Sequence, residues 1–137
     1  MRRYAGRVQT FRLAEAARLL GVSDDTVRRW VESGALPTTG SVPAEIPGKA
    51  LAAFALERAG AAPDPTDRLS SARNRFVGIV TRVQLDGVMA QVDLQAGPHR
   101  VVSLMSAEAV QELGLEVGAL GVAVIKATTV IIETPKD

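Results

Sequence analysis

The apolar positions of this chain change period partway along it. Leu13, Ala16, Ala17 and Leu20 recur at i, i+3, i+4 and i+7, one face of a short helix. Gly21 follows, free to take the positive φ that ends a helix. Ser23 predicts the N-cap of a second helix, with Asp24 and Asp25 in the first turn, where the helix dipole favours negative charge. Val27, Trp30 and Val31 share one face of that helix, Thr26, Arg28 and Arg29 point elsewhere, and Gly34 closes it. A third helix is predicted over 48–58, behind Ile46-Pro47. Two short helices joined by a tight glycine turn, with small Ala17 where they approach, form a helix-turn-helix pattern.

From Arg75 onward the period drops to two. "RFVGIVTRVQL" alternates along 75–85, Asp86-Gly87 is a hairpin signal, and "VMAQVDLQ" supplies the return strand. Gly97-Pro98 turns the chain into "HRVVSLM", and Ser106 caps a short helix closed by Gly114. "GVAVIKATTVIIE", 121–133, predicts two last strands broken near Ala127-Thr128. Five strands and one short helix in so few residues predict a small OB-like β-barrel. A barrel of that size has a thin core, which association with copies of itself would help. Between the two periods lies 60–69, "GAAPDPTDRL", with two Pro and two Asp and neither period. The expectation is an α+β chain of two small domains: helix-turn-helix over 1–59, linker over 60–69, and five-stranded OB-like barrel with one short helix over 70–137.

Composition narrows the chemistry. With 47% apolar and 23% charged residues the chain reads as a globular protein, and no apolar run approaches the roughly 20 residues needed to cross a bilayer. The basic start, Met1 to Arg7, has no apolar stretch behind it and is not read as an export signal, so a cytoplasmic protein without a membrane partner is expected. Zero Cys removes disulfides, thiolate nucleophiles and sulfur-ligated zinc, and the single His99 allows no histidine metal centre. With no nucleophile and no acid–base pair to propose, an enzyme is not expected, nor an organic cofactor. The net charge of +1 is unevenly spread. Residues 1–40 carry seven Arg against four acids, a net of +3, whereas 70–137 have a net of −1. The positive field belongs to the front of the chain, as a nucleic-acid partner requires.

"FRLAEAARLLGVSDDTVRRWVESGALP" resembles the helix-turn-helix of the MerR and excisionase-like DNA-binding families. The resemblance implies a winged helix-turn-helix whose second helix enters the major groove, with Thr26, Arg28 and Arg29 as the DNA-binding candidates. The chain departs from the family where a basic wing is usual: Glu45 stands there, and no Arg or Lys precedes Lys49.

"SARN" at 71–74, "AEAVQELGL" at 107–115 and "VIKATTVII" at 124–132, in this order and spacing, resemble the molybdate-binding Mop or TOBE domain, also called molbindin. Molybdate and tungstate are unprotonated dianions, so their pocket needs donors and no unpaired acceptor. The resemblance implies an oxyanion site between subunits, the opening segment of one chain meeting the closing segment of another. The matched positions are Ser71, Ala72, Arg73, Asn74, Lys126, Ala127 and Thr128. Ser, Arg, Asn, Lys and Thr donate through side chains, and the two alanines leave room for backbone amides. Thr128-Thr129 replaces the Ser-Ser frequent in that family. No metal beyond the bound oxyanion is expected. The combined expectation is a homo-oligomeric regulator of transcription that binds DNA in response to molybdate or tungstate. The alternative is a cytoplasmic molybdate or tungstate storage protein whose helical module does not read DNA.

Overall fold

The structure, a computed structural model, describes residues 9–66 and 69–136. The basic start, Met1 to Arg7, lies outside the described residues. The chain divides into two compact units, 1–60 and 61–137.

In the first unit β1 (Thr10–Arg12) runs into α1 (Leu13–Leu20), followed by α2 (Asp24–Glu32), β2 (Glu45–Pro47) and α3 (Gly48–Glu57). Gly21 ends α1 at φ 69, and the Val22 amide closes the turn on the Ala17 carbonyl at 3.0 Å. Ser23 caps α2, its Oγ accepting the Thr26 amide at 3.2 Å. Ala16, Ala17, Val27, Leu36, Ile46, Leu51 and Phe54 form a buried core, with Leu13, Leu20, Trp30 and Val31 packed around it. The period-derived faces of both helices are therefore the packed ones. Trp30 packs against Phe54 with ring centroids 4.8 Å apart and the rings tilted by 55°, and the Arg58 guanidinium covers both rings.

Glu45 acts as a staple in the fold. β1 and β2 pair antiparallel, with Phe11 opposite Ile46, and Glu45 accepts the Thr10 hydroxyl at 2.9 Å while lying 3.8 Å from the Arg12 guanidinium. A base at this position would lose both contacts.

The second unit is a curled antiparallel sheet of β3 (Asn74–Asp86), β4 (Met89–Ala96), β5 (His99–Ser106) and β6 (Leu120–Ile125), in the order β5-β4-β3-β6, with α4 (Ala107–Glu112) after β5. Long β3 serves two partners. Its first half pairs with β6 from Asn74 opposite Ile125 to Ile79 opposite Leu120, and its second half pairs with β4 as far as Asp86 opposite Met89. An irregularity between Val80 and Arg82 marks where the strand changes partner, and such bulges bend a strand. Gly78 stands opposite Gly121, and a Cβ on Gly78 would run into the Gln95 carbonyl. The missing side chains let the sheet close over Leu94, which lies 3.0 Å from where a Gly121 Cβ would be. Val80, Ala90, Val92 and Leu94 form the core, and Val110 of α4 joins it. Ser106 caps α4 through the Ala109 amide at 3.0 Å.

The α+β class and the OB-like curl are thus as expected, but the sheet pairs four strands rather than five. Instead of a break between two strands, Ala127–Thr129 forms a 3-10 turn closed by the Thr129 amide on the Lys126 carbonyl at 3.0 Å. The turn takes the chain off the line of β6, so the apolar run Val130-Ile131-Ile132 meets no strand of its own unit and is exposed.

The expected linker is partly docked. Asp64 Oδ1 accepts the amide and hydroxyl of Thr66 at 2.8 and 2.6 Å, an Asx turn. Its other oxygen lies 2.6 Å from the Nε of Arg75, which also donates to the Thr66 hydroxyl. Residues 61–66 are consequently part of the second unit.

Candidate functional site

The β3–β6 register decides what the opening and closing segments of the second unit can do together. Asn74 is the first residue of β3 and Ile125 the last of β6, and they are paired. The Asn74 side chain reinforces the pair, its Nδ2 donating to the Ile125 carbonyl at 3.2 Å. Ser71-Ala72-Arg73 leads into this pair and Lys126-Ala127-Thr128 leads out of it. All seven expected oxyanion residues therefore gather at one end of one sheet within a single chain.

Their present partners differ. Ala72 is buried, and its amide is occupied by the Ser70 hydroxyl at 3.1 Å. Arg73 is exposed and donates to the Ser70 carbonyl at 3.1 Å. Lys126, Ala127 and Thr128 are exposed. Within the 3-10 turn the first closing bond belongs to the Thr129 amide, so the turn itself gives the Ala127 and Thr128 amides no acceptor. The Thr129 hydroxyl, a further donor at sequence level, is turned back onto the Lys126 carbonyl at 2.9 Å.

Sequence reasoning missed the role of Arg75 beside this set. Hydrogen bonds from Arg75 and then from Thr66 hold the Asp64 carboxyl well below the usual carboxylate range. The linker thereby neutralises Arg75, while among the described residues no salt bridge joins Arg73 or Lys126 to a carboxylate. An incoming dianion would meet these two cations and the turn amides. Asp64-Pro65-Thr66 could have been read as an Asx turn; its partner across the intervening residues could not.

On α2, Arg28 and Arg29 are exposed and Thr26 is half-buried. The Thr26 hydroxyl lies 2.9 Å from Ser23 Oγ and accepts Arg29 at 3.2 Å, while Arg28 reaches Asp25 at 3.4 Å. Asp24, Asp25 and Glu32 are carried by the same helix.

Two groups elsewhere are structural. Asp93, on the outward side of β4, is buried under Gln91 and Arg100, whose bonds at 3.0 and 2.9 Å lower its pKa. His99, opposite Ala96 at the start of β5, is exposed. Among the described residues no helix is long and apolar enough to cross a membrane, and no group of three or more His, Cys, Asp or Glu could hold a metal ion.

Residues 10–59 match the helix-turn-helix domain family and residues 70–132 the TOBE domain family. Molybdenum-pterin-binding protein 1 of Clostridium pasteurianum is 41% identical over 63 residues, which are 45% of this chain and 93% of that protein. The molybdenum transport protein ModE of Herbaspirillum seropedicae is 33% identical over 66 residues, 47% of this chain; the match spans only 24% of ModE. Among solved structures, the cytoplasmic molybdate-binding protein ModG, with molybdate bound, is 40% identical, and MopII of Clostridium pasteurianum is 39% identical. ModG has a TM-score of 0.49, covering 53% of this chain and 52% of ModG, and MopII has a TM-score of 0.45, covering 48% of this chain and all of MopII. Through its TOBE module, joined here to a helix-turn-helix domain, the chain belongs to the family of the molybdenum-pterin-binding, or Mop, proteins.

Proposed function

We propose that this chain is a transcriptional regulator whose TOBE module binds molybdate or tungstate and whose helix-turn-helix module reads DNA. One observation carries the reading: two donor-rich segments, 71–74 and 126–128, meet at one sheet end in a chain that also holds a helix-turn-helix domain. The names of the Mop and ModE relatives, and the molybdate bound in ModG, support the choice of ligand. None of the seven positions is aromatic, so the set offers no ring on which to stack a pterin, and the ligand is read as the bare oxyanion. The role is binding and regulation without catalysis, in the cytoplasm.

The module works as a homo-oligomer in this reading. Exposed Ile131 and Ile132 and an open cavity of about 710 Å³ lined by Val92, Leu94, Val101 and Met105 favour a second copy as the missing cover. Neighbouring copies then complete each oxyanion site. The oxyanion changes DNA affinity only by binding two arrangements of the assembly unequally.

Isothermal titration of the full-length protein with molybdate and tungstate, with sulfate and phosphate as controls, tests the ligand. Selective heats for the first two are expected; equal binding of sulfate would overturn the assignment. A mobility-shift assay on fragments of the protein's own locus, with and without molybdate, tests the DNA role. The balanced charge of the folded helical unit, six bases and six acids over 9–60, favours the storage reading. Failure to bind any fragment would select it.

A further inference from the structure

We infer that Ser70 is a stand-in acceptor for the oxyanion: while the site is empty it holds two donors of the opening segment, and the anion binds by displacing it. The inference rests on the oxyanion role proposed above. It adds a residue outside the seven expected positions, one that sets affinity without touching the bound anion.

Ser70 spends both of its oxygens on groups that a dianion would need. Its hydroxyl accepts the Ala72 amide at 3.1 Å, and its carbonyl accepts Arg73 Nη1 at 3.1 Å. The closing segment is arranged differently, because its 3-10 turn gives the Ala127 and Thr128 amides no acceptor. One half of the site is presented open and the other is closed on its own chain. Ser70, Ala72 and Arg73 are close neighbours in one chain, so the closed form needs no second copy.

Burial gives the physical reason. Ala72 is buried whereas Ser70 is exposed. A buried amide left without an acceptor costs stability, and in the empty site Ser70 supplies that acceptor. A dianion is the stronger acceptor, since charge-assisted hydrogen bonds are roughly twice as strong as neutral ones. Once displaced, the oxygens of exposed Ser70 return to water, and no group is left unsatisfied. The closed form still has to open, and apparent affinity falls with the fraction of molecules that are closed.

The test is isothermal titration with molybdate of full-length parent, Ser70→Ala and Ser70→Thr proteins. Ser70→Ala should bind about two- to tenfold more tightly, the range to which one neutral hydrogen bond corresponds. Ser70→Thr keeps the hydroxyl and should match the parent. Affinity unchanged or weakened in Ser70→Ala would overturn the inference. The Ala72 amide resonance, followed in alanine-labelled protein, gives a readout that a merely structural role would not move. It should differ between parent and Ser70→Ala without molybdate and coincide at saturation, when the anion has replaced the hydroxyl. Resonances that still differ at saturation would mean that the Ser70 bond survives beside the anion, which also overturns the inference. In each of these cases molybdate binding by the parent leaves the oxyanion role standing, whereas a parent that binds no molybdate removes that role and the inference together.

Discussion

The two modules bury their apolar residues very differently. In the helical unit Ala16, Ala17, Val27, Leu36 and Ile46 are at most 1% exposed, and among the described residues only Leu19, Val42 and Leu56 are large, apolar and exposed. The sheet unit has fifteen such residues, including Ile131 and Ile132 at 84% and 86%, around an open apolar cavity. One module has completed its core within a single chain and the other has not. In the reading proposed above, the difference assigns self-association and oxyanion binding to the second module and DNA reading to the first. Ionic contacts occur in both: Glu45 faces Arg12 in the first module, Asp64 and Asp93 hold Arg75 and Arg100 in the second, and among the described residues no salt bridge takes up Arg73 or Lys126.

If the helical unit is self-sufficient, damage to its core should stay within it. Leu36→Ala should cost about 2–5 kcal/mol, the usual range for a buried leucine. Trp30, the sole tryptophan, should report that loss by fluorescence in a thermal melt, while molybdate binding by the sheet unit persists. Loss of both together would erase the contrast between the modules.

The sheet unit should fail in the opposite way, by losing its neighbours. Ile131→Asp/Ile132→Asp places charge on a surface that assembly would bury, where each isoleucine stabilises by about 1.5–3 kcal/mol. Analytical ultracentrifugation should show smaller species, with the Trp30 melt unchanged. An unaltered assembly would mean that other apolar positions hold the copies together.

At the open end of the sheet, Arg73→Ala or Lys126→Ala removes a charge-assisted donor. Such bonds are worth about 1.5–3 kcal/mol, so titration should show molybdate affinity reduced about tenfold or more. Affinity equal to the parent's would move the oxyanion away from these segments.

The smallest effect is expected at the docked linker. Asp64→Asn should free residues 61–66, seen as faster proteolysis of the linker. In the parent, Asp64 titrates below its unfolded value of about 4, so the clamp's stabilisation is fully present above that pH and is lost as pH falls toward the depressed folded value. The Arg75 Nε resonance should hold its position from neutrality to about pH 4 and move only below it. Movement well above that pH would mean that the carboxylate is not the clamp.

The sequence by itself determined what a few neighbouring residues can specify. The Ser23 and Ser106 caps, the Gly21 stop, the inward faces of α1 and α2 and the hairpin turns all depend on signals within about one helical turn or one strand, and all are found in the structure. The separated "SARN" and "KATT" segments were legible as candidates because their residue types suit an anion. Their meeting was not derivable from spacing, since Asn74 and Ile125 are 51 positions apart and are joined only because β3 bends between two partners. Glu45, expected in a wing, became a staple because Thr10, 35 positions away, lies opposite it across β1 and β2. The last expected strand finds no pairing partner among the described residues. Caps and turns are closed by contacts a few residues long, whereas pairing partners, neutralised charges and the completeness of a core are fixed only when distant segments are packed together.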